Sequence, residues 1–246
     1  MKLGGIFLER EPFYIIAHRG YAPKSIHENT LEAFDEAVRF QASMIETDIR
    51  ILKDGTLVCA HDSTWQGILL KDMTYDEWTE KTFTKEGWRP PTLKEVLKRY
   101  QHTVPLNLEI KDVGIEEKVL MELEGYQGKE LWISSFEDDV IRRMKELNSG
   151  VKTALVVGRS VLKKRPKHLS YWDDYFPERR LRLAKADAVC PHYLLVNQSF
   201  VERMKKESYP IYAWTVNQLE RMKKLKSYGI NGLFTDQLTT AMKILQ

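Results

Sequence analysis

His18-Arg19-Gly20, Glu28-Asn29-Thr30, Glu46-Thr47-Asp48, His61-Asp62 and Glu109-Ile110-Lys111 each set an ionisable group just past a hydrophobic run of β character. Together they offer two histidines, an arginine, a lysine and the three carboxylates Glu46, Asp48 and Glu109. Hard divalent cations take oxygen ligands, phosphate takes cationic partners, and imidazole moves protons near neutral pH. These parts suit one cation, one phosphate and a pair of proton-transfer groups, which is the equipment of an enzyme.

Glu46 and Asp48 stand two apart on a predicted strand, so both side chains point to one face. Two unpaired carboxylates inside a core cost several kcal/mol each, so a counter-charge is required. For that pair alone, metal ligation stands only slightly ahead of bonding to nearby arginine or backbone groups. Glu109 at the end of the next strand tips the balance, because an all-oxygen set suits Ca2+ or Mg2+ rather than zinc. Lys111 shares a face with Glu109 and would hold a phosphate from the side opposite the metal. His18 follows the first strand and His61 the hairpin after the second, so the two flank this group. His27, His102 and His168 read as structural, and His192, just past the sixth strand, stays open between the two roles.

Stepping through the chain, strands are predicted at Tyr14–Ala17, Met44–Ile51, Val104–Ile110, Leu131–Ser134, Thr153–Val157, Asp187–Pro191, Pro210–Thr215 and Gly232–Thr235. Between them, Leu31/Phe34/Val38, Leu93/Val96/Leu97/Tyr100, Val140/Met144/Leu147, Leu219/Met222/Leu225 and Leu238/Met242/Leu245 follow a helical period. Asn29 with Glu32 reads as a capping box opening the first helix. Strand then helix, eight times over, predicts an α/β fold of the TIM (β/α)8 type, in one domain over 1–246. A Gly-rich phosphate loop after the first strand, the mark of a doubly wound sheet, is absent. Lys53-Asp54-Gly55 predicts a hairpin turn into Leu57–Ala60, and a small insertion follows over 63–91. A basic and aromatic loop over 158–186 follows the fifth strand. Both insertions leave the strand ends where barrel enzymes keep their sites.

The net charge of +3 is too small for a nucleic-acid-binding face. It is unevenly spread: Arg159 to Lys185 holds nine Lys/Arg against three Asp/Glu. Met1 to Pro12 carries Glu9, Arg10 and Glu11 and no apolar run of signal-peptide length, and no later run approaches a membrane span, so a cytoplasmic protein is expected. Cys59 and Cys190, each in an apolar run, read as buried free thiols.

The strings above, joined by Asp54-Gly55, Ser134-Ser135-Phe136, Trp214-Thr215-Val216-Asn217 and Thr235-Asp236, resemble the glycerophosphodiester phosphodiesterase family in order and spacing over nearly the whole chain. The resemblance implies a TIM-barrel enzyme that hydrolyses a small-molecule glycerophosphodiester to sn-glycerol 3-phosphate and an alcohol. It implies a divalent cation, Ca2+ or Mg2+, on Glu46, Asp48 and Glu109, and acid–base catalysis by His18 and His61. Arg19 and Lys111 map onto phosphate contacts, Phe136 and Trp214 onto the glycerol side, and Glu28 and Asn29 onto supporting positions. The sequence departs from the family at Trp65-Gln66-Gly67, where relatives usually carry an aliphatic residue and then Arg-Thr, and in lacking a proline soon after Asp236. These departures bear on the head group more than on the reaction. Two alternatives stand beside this reading. One is a lysophospholipase D-like enzyme whose 159–185 segment meets an acyl chain or an acidic membrane, against a plain solvated lid. The other is a non-catalytic barrel that binds polyol phosphates.

Overall fold

Along each main strand the side chains alternate between helix-facing and axis-facing, and this alternation builds two separate cores. The computed structural model describes residues 12–162 and 170–245. Eight parallel strands form the sheet: β1 (Tyr14–Ala17), β2 (Met44–Ile51), β3 (Leu106–Ile110), β4 (Leu131–Ser135), β5 (Lys152–Val157), β6 (Ala188–Pro191), β7 (Tyr212–Ala213) and β8 (Gly232–Thr235). Their order is β7-β8-β1-β2-β3-β4-β5-β6. Parallel bridges Val189–Ile211 and His192–Trp214 bring β6 back to β7, so the barrel is nearly closed.

Ile15, Ile45, Leu106, Leu108, Ile133 and Leu155 face outward into the larger core beneath the helices. Helices α1 (Leu31–Arg39), α3 (Leu93–Tyr100) and α5 (Asp138–Leu147) show why the helical spacing was legible. Phe34, all of Leu93, Val96, Leu97 and Tyr100, and Val140 with Met144 are buried against that core. Ile16, Met44, Trp132, Ala154, Cys190 and Phe234 face inward and plug the barrel. One step further along β1 to β3 the inward positions turn polar, at His18, Glu46, Asp48 and Glu109. Apolar packing below therefore supports a charged layer at the strands' C-terminal ends.

Several boundaries differ from expectation. The seventh strand shrinks to two residues: Pro210 has no N–H to donate to a ladder, and Ile211 and Trp214 keep only isolated bridges to Val189 and His192. The strand Leu57–Cys59 pairs antiparallel with β2, as the hairpin reading predicted, with Gly55 at φ 83° in the turn. The insertion after it is more ordered than an irregular loop. It holds a ribbon of Thr64–Trp65 and Ile68–Leu69 and the helix α2 (Tyr75–Glu86), which opens on a Thr74/Glu77 capping box. Leu52, Val58, Ala60, Leu70, Met73 and Trp78 give it a core of its own. The first helix is capped by Thr30, whose hydroxyl accepts the Ala33 N–H, and not by Asn29. After β5, the described part of the loop carries α6 (Tyr171–Tyr175) and α7 (Glu178–Ala184). His168 and the basic run Lys163–Lys167, like Met1–Glu11, lie outside the described residues.

Candidate active site

Asp48 is the centre of the charged layer. It is 1% exposed, and in register it faces Glu109 across the β2–β3 pair. Lys111 Nζ lies 2.9 Å from Asp48 Oδ1 and also bonds Glu109. On the other oxygen, the Asn29 amide donates at 2.8 Å and Arg19 Nε lies 3.2 Å away. Burial alone would raise the Asp48 pKa, but Lys111 and Arg19 overcome it and hold the carboxylate well below its ordinary range. Asn29 is itself locked, accepting from the Thr47 hydroxyl at 2.7 Å and the Asp48 N–H at 3.3 Å.

Glu46 is buried to the same degree with a poorer set of partners. Its Oε2 accepts the Arg19 backbone N–H at 2.8 Å, while its Oε1 has no hydrogen-bond partner among the described residues. Burial, and then the charge of Asp48, push the Glu46 pKa up. An orphaned, buried carboxylate oxygen in that state lacks a positive charge. Ligand oxygens of Glu46, Asp48 and Glu109 all lie within 4.8 Å of one another. The donor set fits a hard divalent cation at this point.

The loop from β1 to α1 pays for this arrangement in backbone strain. Arg19 and Asn29 both adopt left-handed φ, 57° and 56°, and the Asn29 N–H donates to the Arg19 carbonyl at 3.0 Å. That bend aims the Arg19 N–H at Glu46 and its guanidinium at Glu28, 2.6 Å away, so Glu28 anchors the arginine.

The two histidines differ in their surroundings. His18 Nδ1 is 2.7 Å from Asp236 Oδ1, and the Asn217 amide donates to the second Asp236 oxygen at 2.6 Å. Burial works to lower the His18 pKa, yet the bond to Asp236 and the charge of Glu46 raise it above the ordinary imidazole value. His61 Nδ1 is 2.8 Å from Asp62 Oδ1. Its pKa is lowered, by burial first and then by the Arg19 charge. In both rings the near partner sits on Nδ1, leaving Nε2 for another group.

Across the barrel mouth, Phe136 and Trp214 meet edge to face at 5.3 Å, and Trp214 meets His192 at 4.9 Å. Lys111 lies 5.6 Å from the Phe136 centroid, which joins this aromatic wall to the carboxylates. The fold therefore brings together His18, Arg19, Glu28, Asn29, Glu46, Asp48, His61, Glu109 and Lys111, with Phe136 and Trp214 beside them. Asp236 as the partner of His18, and Asp62 as that of His61, were assigned no role from sequence. For Asp236 the available signal was its place directly after a strand, the same place His18 occupies. His192 belongs to the aromatic wall, where burial lowers its pKa to about 4. Cys59 and Cys190 are buried and unpaired, as expected. Among the described residues no helix is long and apolar enough to cross a membrane.

Comparison with known proteins places the chain in a family. The family model described as "Glycerophosphoryl diester phosphodiesterase family" matches residues 18–240. A glycerophosphodiester phosphodiesterase of Caldanaerobacter subterraneus subsp. tengcongensis is 30% identical over 94% of this chain and 97% of its own. The crystal structure of a glycerophosphodiester phosphodiesterase from Thermotoga maritima aligns with a TM-score of 0.77 at 26% identity, covering 95% of this chain and 98% of that one. A phosphodiesterase from Oleispira antarctica, solved in complex with the product sn-glycerol-3-phosphate, aligns with a TM-score of 0.77 at 23% identity over 94% and 96% of the two chains. By its matched length and its relatives, the chain belongs to the glycerophosphoryl diester phosphodiesterase family, a family of hydrolytic enzymes.

Proposed function

We propose that this protein hydrolyses glycerophosphodiesters to sn-glycerol 3-phosphate and an alcohol, using His18 and His61 as the proton-transfer pair. The observation that carries the reading is the orphaned Glu46 oxygen within a three-carboxylate cluster, flanked by two histidines that each hold a carboxylate on Nδ1. Glu46, Asp48 and Glu109 would hold one divalent cation, Ca2+ or Mg2+. When bound, it would supply Lewis-acid neutralisation of phosphate charge. Arg19 and Lys111 add fixed positive charge where a phosphodiester would lie, and Phe136 with Trp214 would face the glycerol carbons.

In the first step one histidine takes the proton of the glycerol 2-hydroxyl as its oxygen attacks phosphorus. The bond from phosphorus to the alcohol oxygen breaks, and the other histidine protonates that oxygen. Water then opens the cyclic phosphate with the histidine roles exchanged. The protein needs both imidazoles with Nε2 free, and the Nδ1 carboxylates support that orientation.

The test is release of glycerol 3-phosphate from glycerophosphodiesters by the purified protein, with EDTA or with added Ca2+ or Mg2+. Metal-dependent turnover lost in His18→Ala and in His61→Ala supports the reading. Turnover that survives both substitutions would overturn the role of the histidines, and turnover indifferent to EDTA would overturn that of the cation.

A further inference from the structure

Hydrolysis must seat the departing alcohol as well as the glycerol, and the insertion after β2 supplies a place for it. A cavity of about 140 Å3 opens beside His61, walled by His27, Trp65, Trp78 and Trp88, with Glu28 and Asp62 in its lining. Drug-sized ligands occupy roughly 300–1,000 Å3. This space therefore suits a compact head group and is too small for an acyl chain.

The walls are organised to present ring surface. His27 stacks on Trp88 with centroids 3.9 Å apart, and Trp78 meets Trp88 edge-on at 6.0 Å. The Glu86 carboxylate accepts the indole N–H of Trp65 at 3.2 Å and of Trp88 at 2.6 Å. Two of the three indoles thus have their donors engaged elsewhere, and what they offer an occupant is the ring surface not already covered by His27 on Trp88 and Lys85 over Trp65. Indole faces attract cations, above all a desolvated ammonium without N–H groups to satisfy. Lys85 already lies over the Trp65 ring at 5.2 Å. Glu28 and Asp62 complete the lining, the first paired with Arg19 and the second with His61.

The cavity also lies on the correct side. Asp48 turns one oxygen to Lys111, and through it to Phe136, and the other to Arg19 and to Asn29, of which Asn29 borders the cavity. A diester with its glycerol against Phe136 and Trp214 would direct its other half here.

We propose that this aromatic cavity binds a quaternary ammonium head group, which makes glycerophosphocholine the preferred diester. The proposal rests on the phosphodiesterase reading above and names the substrate class of the same site.

Two measurements on the full-length protein test it separately. In the first, kcat/KM is compared for glycerophosphocholine, glycerophosphoethanolamine and glycerophosphoglycerol, whose head group is uncharged. The choline diester should lead, and Trp65→Leu and Trp88→Leu should each reduce its advantage over glycerophosphoglycerol by about 2- to 30-fold, the range of one cation–π contact. An equal loss on all three diesters, or an unchanged ratio in folded Trp65→Leu, would overturn the proposal. Trp65 lies in the surface ribbon, so that variant serves if Trp88→Leu fails to fold. In the second, choline chloride is titrated against NaCl at equal ionic strength while indole fluorescence is read. Saturable quenching that weakens in Trp65→Leu supports the cavity even if no diester is turned over, an outcome that would sink only the catalytic reading. Turnover without choline preference or choline quenching would sink the cavity alone.

Discussion

The side-chain amide of Asn29 donates to Asp48 Oδ2 at 2.8 Å, from a residue whose own backbone is left-handed. This one bond ties the first loop to the middle of the carboxylate cluster. Asn is among the residues that tolerate this conformation, and its short amide reaches two groups at once. Asn29→Ala should lower activity by roughly 10- to 100-fold, as loss of a ligand-orienting bond usually does. It should also cost about 1–3 kcal/mol of stability by leaving the Thr47 hydroxyl and Asp48 with fewer partners. Asn29→Gly relieves the backbone but restores no bond, so its stability should partly recover while its activity does not. Thermal melts and steady-state rates of the two variants check this, and equal recovery of both quantities would contradict it.

Asp236 should act on the reaction only through His18. Asp236→Asn keeps the size of the group and removes its charge, so kcat should fall on the order of 10- to 100-fold with KM nearly constant. Because Asp236 helps to raise the His18 pKa, its loss lowers that value. The limb of the pH–rate profile that reports His18 should therefore move to lower pH. A profile that drops in height without moving would show that Asp236 orients the ring and does not tune it.

The barrel was legible because its strands alternate so regularly: Met44, Glu46 and Asp48 inward against Ile45, Thr47 and Ile49 outward is a period of two that no helix shares. The carboxylate cluster was legible for the same reason. The pairing of His18 with Asp236 was not, since 218 residues separate them and only closure of β8 onto β1 makes them neighbours. Asn29 misled as a cap because its type suits both a cap and a left-handed turn, and Thr30, with its extended φ of −120°, took the cap. The helix after Thr74 carried a readable capping box at Glu77 but no clean apolar stripe, with only Trp78 and Thr82 buried along it. The aromatic cavity was hidden altogether, because Trp65, Trp78 and Trp88 follow no simple period and converge only when the insertion folds back on His27.

Gly20 is a steric requirement of the site. Its φ is +82°, and a Cβ there would stand 2.8 Å from the Ala33 backbone carbon and oxygen. Gly20→Ala should cost about 2–4 kcal/mol, from the left-handed penalty and the overpacking together. For a chain of this size that corresponds to a fall of roughly 5–15 °C in melting temperature. The displaced α1 would also shift His18 and Arg19, so activity should fall in the folded fraction too. A melt within a degree or two of the parent would show that α1 yields without cost.

Glu46 gives the most discriminating prediction, because the effect of its replacement on stability should change sign with the cation. Without metal, burial and Asp48 raise its folded pKa above the ordinary 4.5. From about pH 4.5 upward the unfolded chain ionises this group while the folded chain keeps it protonated. Stability is therefore lost as pH rises through that window and levels off above the folded value. Glu46→Gln removes the titration, and its amide oxygen can still accept the Arg19 N–H. In EDTA the variant should thus be more stable than the parent, by a margin that grows with pH. With a divalent cation the order should reverse. A ligand at a hundred times its dissociation constant stabilises the parent by about 2.7 kcal/mol, and the variant, lacking one of three carboxylates, should gain far less. Thermal melts from pH 5 to 8.5, in EDTA and in Ca2+ or Mg2+, would trace the two curves. If they keep the same order in both conditions, the cation does not sit on Glu46.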